Sequence, residues 1–301
     1  MSADQDIPRY PERPADGHKG TFGRLLVVAG SRSMSGAACL AGLGALRGGA
    51  GLVFVACPEG VQPIVAGAEP CYQTIGLPEN ESGQLDASAL PAVQALLSGK
   101  DALAVGPGLG NSASVREVVR ALYIEATVPA VVDADGLNLL ADEFLSKPDS
   151  LANPAGPRIL TPHAGELSRL CGLPIGEIQK QREDVARDFA ARHGVVLVLK
   201  GPGTVVTDGK RVAINPTGNS GMATGGSGDV LTGLIGALLA SEMEPFEAAR
   251  LAVYLHGLAG DLAAEELSEP GLIATDLPRF LGAAWKQLQI FWHWAWIPKK
   301  L

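Results

Sequence analysis

The strongest constraint on the fold is the alternation of short apolar runs with longer helical patterns from about residue 24 onward. The runs are three to five residues long and are flanked by turn residues, as are strands buried on both faces of a parallel sheet. Strand–helix alternation predicts an α/β fold with a mostly parallel sheet covered on both faces. The runs are Leu25–Ala29, Leu52–Ala56, Ala102–Val105, Ala130–Val132 and Val195–Leu199, and the predicted helices include Gly36–Leu46, Ala113–Ala121, Glu177–Arg192, Val230–Ala240, Phe246–Leu262 and Leu277–Trp285.

The pattern changes after the last of these strands. Two short apolar runs, Thr204–Thr207 and Arg211–Ile214, are separated by Asp208-Gly209-Lys210, which predicts a β-hairpin. Helical patterns then dominate. Because no linker or internal repeat divides the chain, we expect a single domain over residues 17–285.

Two terminal segments differ from this body in composition. Residues 1–16 form a polar, proline-containing extension, and residues 286–301 form an aromatic-rich tail. All four tryptophans lie in the last 17 residues. We expect the tail to pack onto the body or onto a neighbouring subunit; a membrane-surface anchor and a poorly ordered extension are the alternatives.

Composition excludes several classes of protein. With 47% hydrophobic residues the chain has enough apolar surface to form a core, and its net charge of −8 argues against a nucleic-acid-binding face. No secretory segment and no run of 18 apolar residues is visible, so we expect a cytoplasmic protein without a transmembrane helix. The cysteines lack metal-binding spacing, which predicts reduced, mostly buried thiols and no zinc site; they are Cys39, Cys57, Cys71 and Cys171.

The richest chemical signal is the glycine-rich segment Gly218–Asp229, which runs directly into a helical pattern. Glycines before a helix leave backbone N–H groups unpaired, and the helix macrodipole adds positive potential, so the segment predicts a phosphate site. A carboxylate at Asp229 would repel phosphate unless it has a chemical task. Proton abstraction from an attacking hydroxyl is such a task, and simple helix capping is the alternative.

Other polar residues follow the predicted strands, at the edge where open α/β sheets bind ligands. Lys200 is a point charge suited to a polyphosphate, or an ordinary solvated lysine. His163 begins a predicted helix and is either a binding residue or a structural one. Asp133 and Asp135 suit Mg²⁺ bound through water, or Asp135 caps the next helix. Gly30–Ala38 is predicted to cradle another part of the ligand.

A rival interpretation comes from the segment after the third predicted strand. Gly108-x-Gly110-x-x-Ala113, with Asp133 twenty residues further on, matches the dinucleotide-binding fingerprint of a Rossmann dehydrogenase. The match lies deep in the chain and leaves Gly225–Asp229 unexplained. A Walker-type phosphate loop is absent from the sequence. We therefore keep the dehydrogenase as a secondary hypothesis.

At these residues the sequence resembles the ADP/ATP-dependent NAD(P)H-hydrate dehydratases, which have a ribokinase-like fold. The resemblance covers about residues 17–285 and implies a three-layer α/β/α sandwich. The family is often fused to an N-terminal epimerase domain, for which this chain is expected to be too short, and the tail after Trp285 matches no family segment. The matching segments, in the family's order, are Gly20–Ser31, Ser35–Ala38, Gly106–Gly110, Asp133–Asn138, Thr161–Leu167, Lys200–Val206 and Gly218–Gly233.

The resemblance implies repair of hydrated nicotinamide cofactors. The (6S) hydrates NADHX and NADPHX would be returned to NADH and NADPH, with ADP rather than ATP converted to AMP and phosphate and with Mg²⁺ as cofactor. Asp229 would be the catalytic base. The implied nucleotide-binding residues are Lys200, Gly201, Pro202, Gly203, Thr204, Gly225, Gly226, Ser227 and Gly228. The implied hydrate-binding residues are Ala37, Gly108, His163 and Asp229.

The resemblance also implies partners. A homo-oligomer is expected, with a tetramer as its form, and a separate NAD(P)HX epimerase is the expected functional partner. The nearest alternative function is a ribokinase-like vitamin or sugar kinase, which would share the Asp229 base but release a stable phosphorylated alcohol. A non-enzymatic nucleotide sensor, which would not need Asp229, is the third hypothesis.

Overall fold

The sheet follows the predicted alternation. The computed structural model describes residues 7–295, with side chains up to residue 292. Its strands are β1 (Arg24–Val28), β2 (Leu52–Pro58), β3 (Gln73–Leu77), β4 (Ala102–Val105), β5 (Ala130–Val132), β6 (Arg158–Leu160), β7 (Val196–Leu199), β8 (Val205–Thr207) and β9 (Val212–Ile214). They form one sheet in the order β3-β2-β1-β4-β5-β6-β7-β8-β9. The first seven strands pair in parallel, and β8 and β9 add the predicted antiparallel hairpin.

Helices connect the parallel strands and close the chain. Those within the described residues are α1 (Ser35–Arg47), α2 (Gln62–Ala68), α3 (Leu90–Leu97), α4 (Ala113–Glu125), α5 (Asp135–Ser146), α6 (Ala164–Cys171), α7 (Ile175–Lys180), α8 (Arg182–His193), α9 (Ser227–Ala240), α10 (Pro245–Leu267) and α11 (Asp276–Ala295). The prediction of a single helix over Glu177–Arg192 is wrong. Gln181, at φ −134° and ψ 44°, leaves the helical region and divides it into α7 and α8.

The strands alternate their side chains between two separate cores. Leu25 and Val27 of β1 pack into one core, whereas Leu26 and Val28 pack into the other. Helices α1, α2, α9, α10 and α11 cover the first face, and α3 to α8 cover the second. This arrangement confirms the predicted three-layer α/β/α sandwich.

Two expectations need correction. Strand β3 was not predicted, because the sequence QTIGL of this edge strand has polar residues and a glycine instead of a continuous apolar run. The thiols are free as expected, but of the four only Cys57 is buried and Cys71 is exposed.

The start of the aromatic tail packs onto the body. The predicted boundary after Trp285 lies inside α11. The Trp285 indole donates a hydrogen bond to the Arg47 carbonyl (3.0 Å) and meets the Tyr10 ring edge-on, and Trp292 packs against the first core. The Trp294 side chain and Trp296 lie outside the described residues. Within the part of the chain that the structure describes, every helix is too short or too polar to cross a bilayer.

Candidate active site

The predicted phosphate site lies at the start of α9, beside the carboxyl ends of the parallel strands. Gly226 occupies the N-cap position with φ +95°, a backbone conformation that glycine adopts without steric cost. Among the described side chains, none caps this helix end. The N-terminal dipole of a 14-residue helix is therefore open to a negatively charged ligand.

Asp229 lies in the first turn of α9, but it does not cap the helix. Within the described residues its carboxylate makes no hydrogen bond and no ion pair at contact distance. Burial, reinforced by the negative charge of Asp133, raises the pKa of Asp229 to about 7. The carboxylate is thus partly desolvated, unpaired and poised to exchange a proton near neutral pH, which excludes the capping interpretation and suits a general base.

A buried charge cluster adjoins Asp229. Lys200, at the end of β7, donates from Nζ to Oδ1 of Asp133 at 2.6 Å, and Glu166 Oε2 lies 3.8 Å from the same ammonium. The other Asp133 oxygen accepts from the Thr232 hydroxyl of α9 at 2.6 Å. Burial alone would lower the pKa of Lys200, but the two carboxylates outweigh it and raise that pKa. Lys200 is therefore a fixed, charged group and not a freely solvated lysine.

His163 is both structural and available. Its Nδ1 accepts the backbone N–H groups of Gly165 and Glu166 at 3.0 and 3.2 Å, and Glu166 Oε2 accepts the backbone N–H of His163 at 2.7 Å. This capping box begins α6 at the predicted place. Since Nδ1 accepts hydrogen bonds, the neutral ring carries its proton on Nε2. The ring is more than half exposed, and its Nε2 lies 3.6 Å from Glu166 Oε1, beyond hydrogen-bond distance, so Nε2–H can donate to a ligand.

The two glycine loops after β1 and β4 touch each other. The Gly30 N–H bonds the Pro107 carbonyl at 2.8 Å. A Cβ atom placed on Gly108 would lie only 2.8 Å from Cβ of Ala37, so these two predicted hydrate-binding residues are neighbours. At Gly106 a Cβ would collide with the Asp133 carbonyl at 1.9 Å, which allows only glycine there.

The aspartates have different partners from those predicted. Asp135 does not cap α5; its Oδ2 accepts the Gly110 N–H at 2.9 Å and fixes the loop after β4. Asp133 is only 1% exposed beneath its bonds to Lys200 and Thr232, so a ribose hydroxyl cannot reach it. The dinucleotide-fingerprint interpretation therefore fails at its acidic residue.

The loop that begins with Lys200 is anchored by hydrogen bonds at its first residue and is exposed to solvent over the next three. The Lys200 N–H bonds the Pro162 carbonyl at 2.8 Å, and the Arg182 guanidinium donates to the carbonyls of Leu199 (2.9 Å) and Lys200 (3.3 Å). The segment Gly201–Gly203 lies at the surface, and the Thr204 hydroxyl closes the turn onto the Gly201 carbonyl at 2.9 Å. Its backbone is accessible to a ligand.

Sequence reasoning missed several supporting residues. Arg182 and His256 gave no signal, because both act through backbone carbonyls of segments distant in sequence; His256 Nε2 lies 3.0 Å from the Ser227 carbonyl, and burial lowers the pKa of His256 to about 4. Thr232 had a weak signal, since it follows Asp229 by three residues and so shares a face of α9 with it. Glu166 stood inside a segment already singled out.

Comparison with known proteins shows which family has this sequence and fold. The family model for NAD(P)H-hydrate dehydratase, a carbohydrate-kinase-like group, matches residues 25–281. The chain belongs to the NAD(P)H-hydrate dehydratase family. The match spans the strand ends and the α9 loop described above, so the family assignment and the site involve the same part of the chain.

Individual members of the NAD(P)H-hydrate dehydratase family agree over most of the chain. A bifunctional NAD(P)H-hydrate repair enzyme from Moorella thermoacetica is 45% identical over 93% of this chain and 52% of its own length. The ADP-dependent (S)-NAD(P)H-hydrate dehydratase of Bacillus subtilis is 39% identical, over 93% of this chain and 95% of that protein. The chain thus spans about half the length of the bifunctional relatives it matches.

A solved family structure extends the agreement to three dimensions. The ADP/ATP-dependent NAD(P)H-hydrate dehydratase of Bacillus subtilis, co-crystallised with ATP and Mg²⁺, superposes with a TM-score of 0.77 at 37% identity, covering 92% of this chain and 94% of that one. The fold is therefore ribokinase-like, as the resemblance implied.

Proposed function

We propose that the protein is an ADP-dependent (S)-NAD(P)H-hydrate dehydratase, which converts (6S)-NADHX and NADPHX to NADH and NADPH. The observation that carries the proposal is the Asp229 carboxylate, unpaired and partly desolvated in the first turn of an uncapped helix. Membership of the NAD(P)H-hydrate dehydratase family supports the substrate class.

In the proposed reaction Asp229 removes the proton of the hydroxyl at C6 of the hydrate. The freed oxygen attacks the terminal phosphorus of ADP, and the bond from that phosphorus to its bridging oxygen breaks to release AMP. Backbone N–H groups of the predicted nucleotide loop, residues 225–228, would stabilise charge on the transferring phosphoryl oxygens. Lys200 would add a fixed positive charge beside them.

The phosphorylated intermediate then loses phosphate. The ring-nitrogen lone pair expels the phosphate from C6, and loss of a proton from C5 restores the C5–C6 double bond. The oxygen of the added water leaves in the phosphate, so the sum is hydrate plus ADP giving dinucleotide, AMP and phosphate. Ala37, Gly108 and the Nε2–H of His163 would contact the hydrate.

Mg²⁺ would accompany the nucleotide. In the described part of the chain no three side chains of the metal-binding types are grouped for a metal ion, and both Asp133 oxygens are already bonded. The residues therefore do not form a ready protein cage, and a magnesium ion would be held mainly by the nucleotide phosphates and water, where it neutralises phosphate charge.

The test is absorbance at 340 nm with purified protein, NADHX, Mg²⁺ and either ADP or ATP. A nucleotide-dependent rise with equimolar phosphate release would support the dehydratase and show which donor it uses. No rise with either donor, once the (6S) epimer is confirmed to be present, would contradict it. A stable phosphorylated alcohol formed from a vitamin or sugar would indicate the kinase instead.

Two partner predictions belong to this proposal. A separate epimerase would supply the (6S) hydrate, because a dehydratase specific for one epimer leaves the other unrepaired. A homotetramer is the expected assembly, which light scattering on the eluted protein would test. The cytoplasm stays the predicted location.

A further inference from the structure

Asp133 has both carboxylate oxygens committed to other elements of the fold. It follows β5 and is 1% exposed; Oδ1 accepts from Lys200, after β7, and Oδ2 accepts from Thr232 of α9, each at 2.6 Å. Lys200 is 67 residues away along the chain and Thr232 is 99 residues away. One buried side chain thus joins two strand ends to the helix that carries the candidate base.

The ammonium held by Asp133 lies against the predicted phosphate loop. A Cβ atom built on Gly228 would be 3.3 Å from Lys200 Nζ and 3.6 Å from Asp133 Oδ2. Gly228 directly precedes Asp229. The Lys200 side chain is only 19% exposed, so its charged end is confined at this position and does not extend into solvent.

A lysine without such a tether would be a poor phosphate ligand. Its four-carbon stem is flexible and its ammonium is strongly hydrated, so fixing it costs conformational entropy at the moment of binding. Here Asp133 and Glu166 hold the ammonium before any ligand arrives. The Thr232 hydroxyl, in turn, fixes the rotation of the Asp133 carboxylate by bonding its second oxygen.

We propose that Asp133 is a positioning residue that, oriented by Thr232, holds the Lys200 ammonium beside Gly228 to receive nucleotide phosphate. The inference rests on the proposed function in taking a nucleotide as the ligand. It assigns Asp133 to neither metal binding nor contact with the substrate. It also explains why a site for anions contains a buried aspartate, since the carboxylate acts through the lysine.

Nucleotide affinity tests this coupling without turnover. Calorimetric titration with ADP and Mg²⁺ compares wild type, Asp133→Asn, Lys200→Met and the double variant. Each single change is expected to weaken ADP binding by about tenfold or more. The double variant should bind within about twofold of Lys200→Met, because two residues that act through each other lose their effect once. Losses that multiply, or wild-type affinity in Asp133→Asn, would overturn the proposal.

A gentler pair of variants protects the test against misfolding. Thr232→Val removes the hydroxyl at nearly constant volume and should weaken ADP binding several-fold, while Thr232→Ser keeps the donor and should bind as wild type does. Equal affinities for the valine and serine variants would overturn the inference, whatever the behaviour of Asp133→Asn.

The pH profile tests whether both charges of the Asp133–Lys200 pair act on Asp229, as the arrangement requires. The charged groups facing Asp229 are Asp133, Lys200, Asp135 and Glu166, and His256 is held neutral behind the loop. Asp133→Asn should move the acid limb of turnover to lower pH, and Lys200→Met should move it to higher pH. Shifts in the same direction would contradict the arrangement.

The two proposals can fail separately. Absence of NADHX dehydration in the wild type overturns the proposed function but leaves the ADP titrations decisive for Asp133. A wild-type protein that binds neither ADP nor ATP would overturn both.

Discussion

Two charged groups near opposite ends of the parallel strands differ in how they are satisfied: Arg158 is buried, and Asp229 is half-buried. At the amino end of β6, Arg158 is 1% exposed and donates to the backbone carbonyls of Tyr123, Ala126, Val128 and Pro157 at 2.5–3.1 Å. Asp229, at the start of α9 beside the residues that follow β5 and β7, is partly desolvated and has no hydrogen-bond partner among the described residues. One charge is saturated with partners and the other is left without them.

The difference separates stability from chemistry. Tyr123 and Ala126 lie at the end of α4, where the helix macrodipole is negative and favours a cation. Arg158 therefore fits its surroundings, although burial lowers its pKa to about 10. Burial and the charge of Asp133 disfavour the ionised form of Asp229, so this carboxylate binds a proton more tightly than an ordinary aspartate does. The predictions that follow test this contrast, beginning with the largest effect.

Asp229→Asn should lower kcat roughly 10²–10⁴-fold, the usual contribution of a general base, while ADP affinity stays close to that of wild type. The 340 nm assay and ADP titration measure the two quantities. Asp142→Asn, which changes an exposed carboxylate on α5, is the control and should be silent in both. Near wild-type turnover in Asp229→Asn would remove the residue from the chemistry.

Arg158→Met should lower the free energy of unfolding by about 3 kcal/mol or more, because four carbonyls lose their donor inside the protein. Turnover per folded molecule should not change. Urea unfolding provides the measurement. Arg116→Met, which removes an exposed pair with Asp142 at 3.1 Å, is the matched control and should cost less than about 1 kcal/mol. Equal losses in the two variants would break the comparison.

The acid limb of kcat/KM should lie near pH 7. Protonated Asp229 cannot accept the hydroxyl proton, so the rate should fall about tenfold for each pH unit below the pKa of about 7. An ordinary aspartate would keep the enzyme active down to about pH 4. Initial rates measured between pH 5 and 9 with saturating ADP decide between the two cases, and a flat profile across that range would refute the raised pKa.

The smallest expected effect concerns stability. Between pH 3.8 and about 7 the unfolded chain ionises Asp229 while the folded chain keeps it protonated, so this residue's contribution to wild-type stability falls as pH rises. An uncharged asparagine at this position would show no such loss. Asp229→Asn should therefore melt a few degrees above wild type at pH 8, with a smaller difference at pH 5. A constant difference at both values would contradict the assignment.

The sequence predicts the positions of the site better than its pairings. Lys200, His163 and Asp229 each follow a strand or a glycine loop, so local pattern is enough to bring them to one edge of a parallel sheet. The bond of Lys200 to Asp133 is not local: it crosses the end of β6, and no spacing rule specifies which strand-end carboxylate a lysine will choose. Even so, opposite charges at neighbouring strand ends are a signal that could have been used.

Fold elements were lost where the sequence pattern is weak. Strand β3 lies at the edge of the sheet, and only Leu77 of its five residues is buried, so it lacks the apolar run of a central strand. The break between α7 and α8 at Gln181 depends on backbone dihedrals, and no glycine or proline near it signals the break in the sequence. Both misses are tertiary effects that override local propensity.

The division of the core into two faces has a consequence for synthesis on the ribosome. The helices between residues 90 and 193 cover one face of the sheet in a single continuous stretch, so that face can close early. The other face is covered by residues 35–68 and by helices after residue 227. The part of this face formed by residues 35–68 stays uncovered until the last quarter of the chain is made. During that interval its apolar side chains can bind chaperones or aggregate.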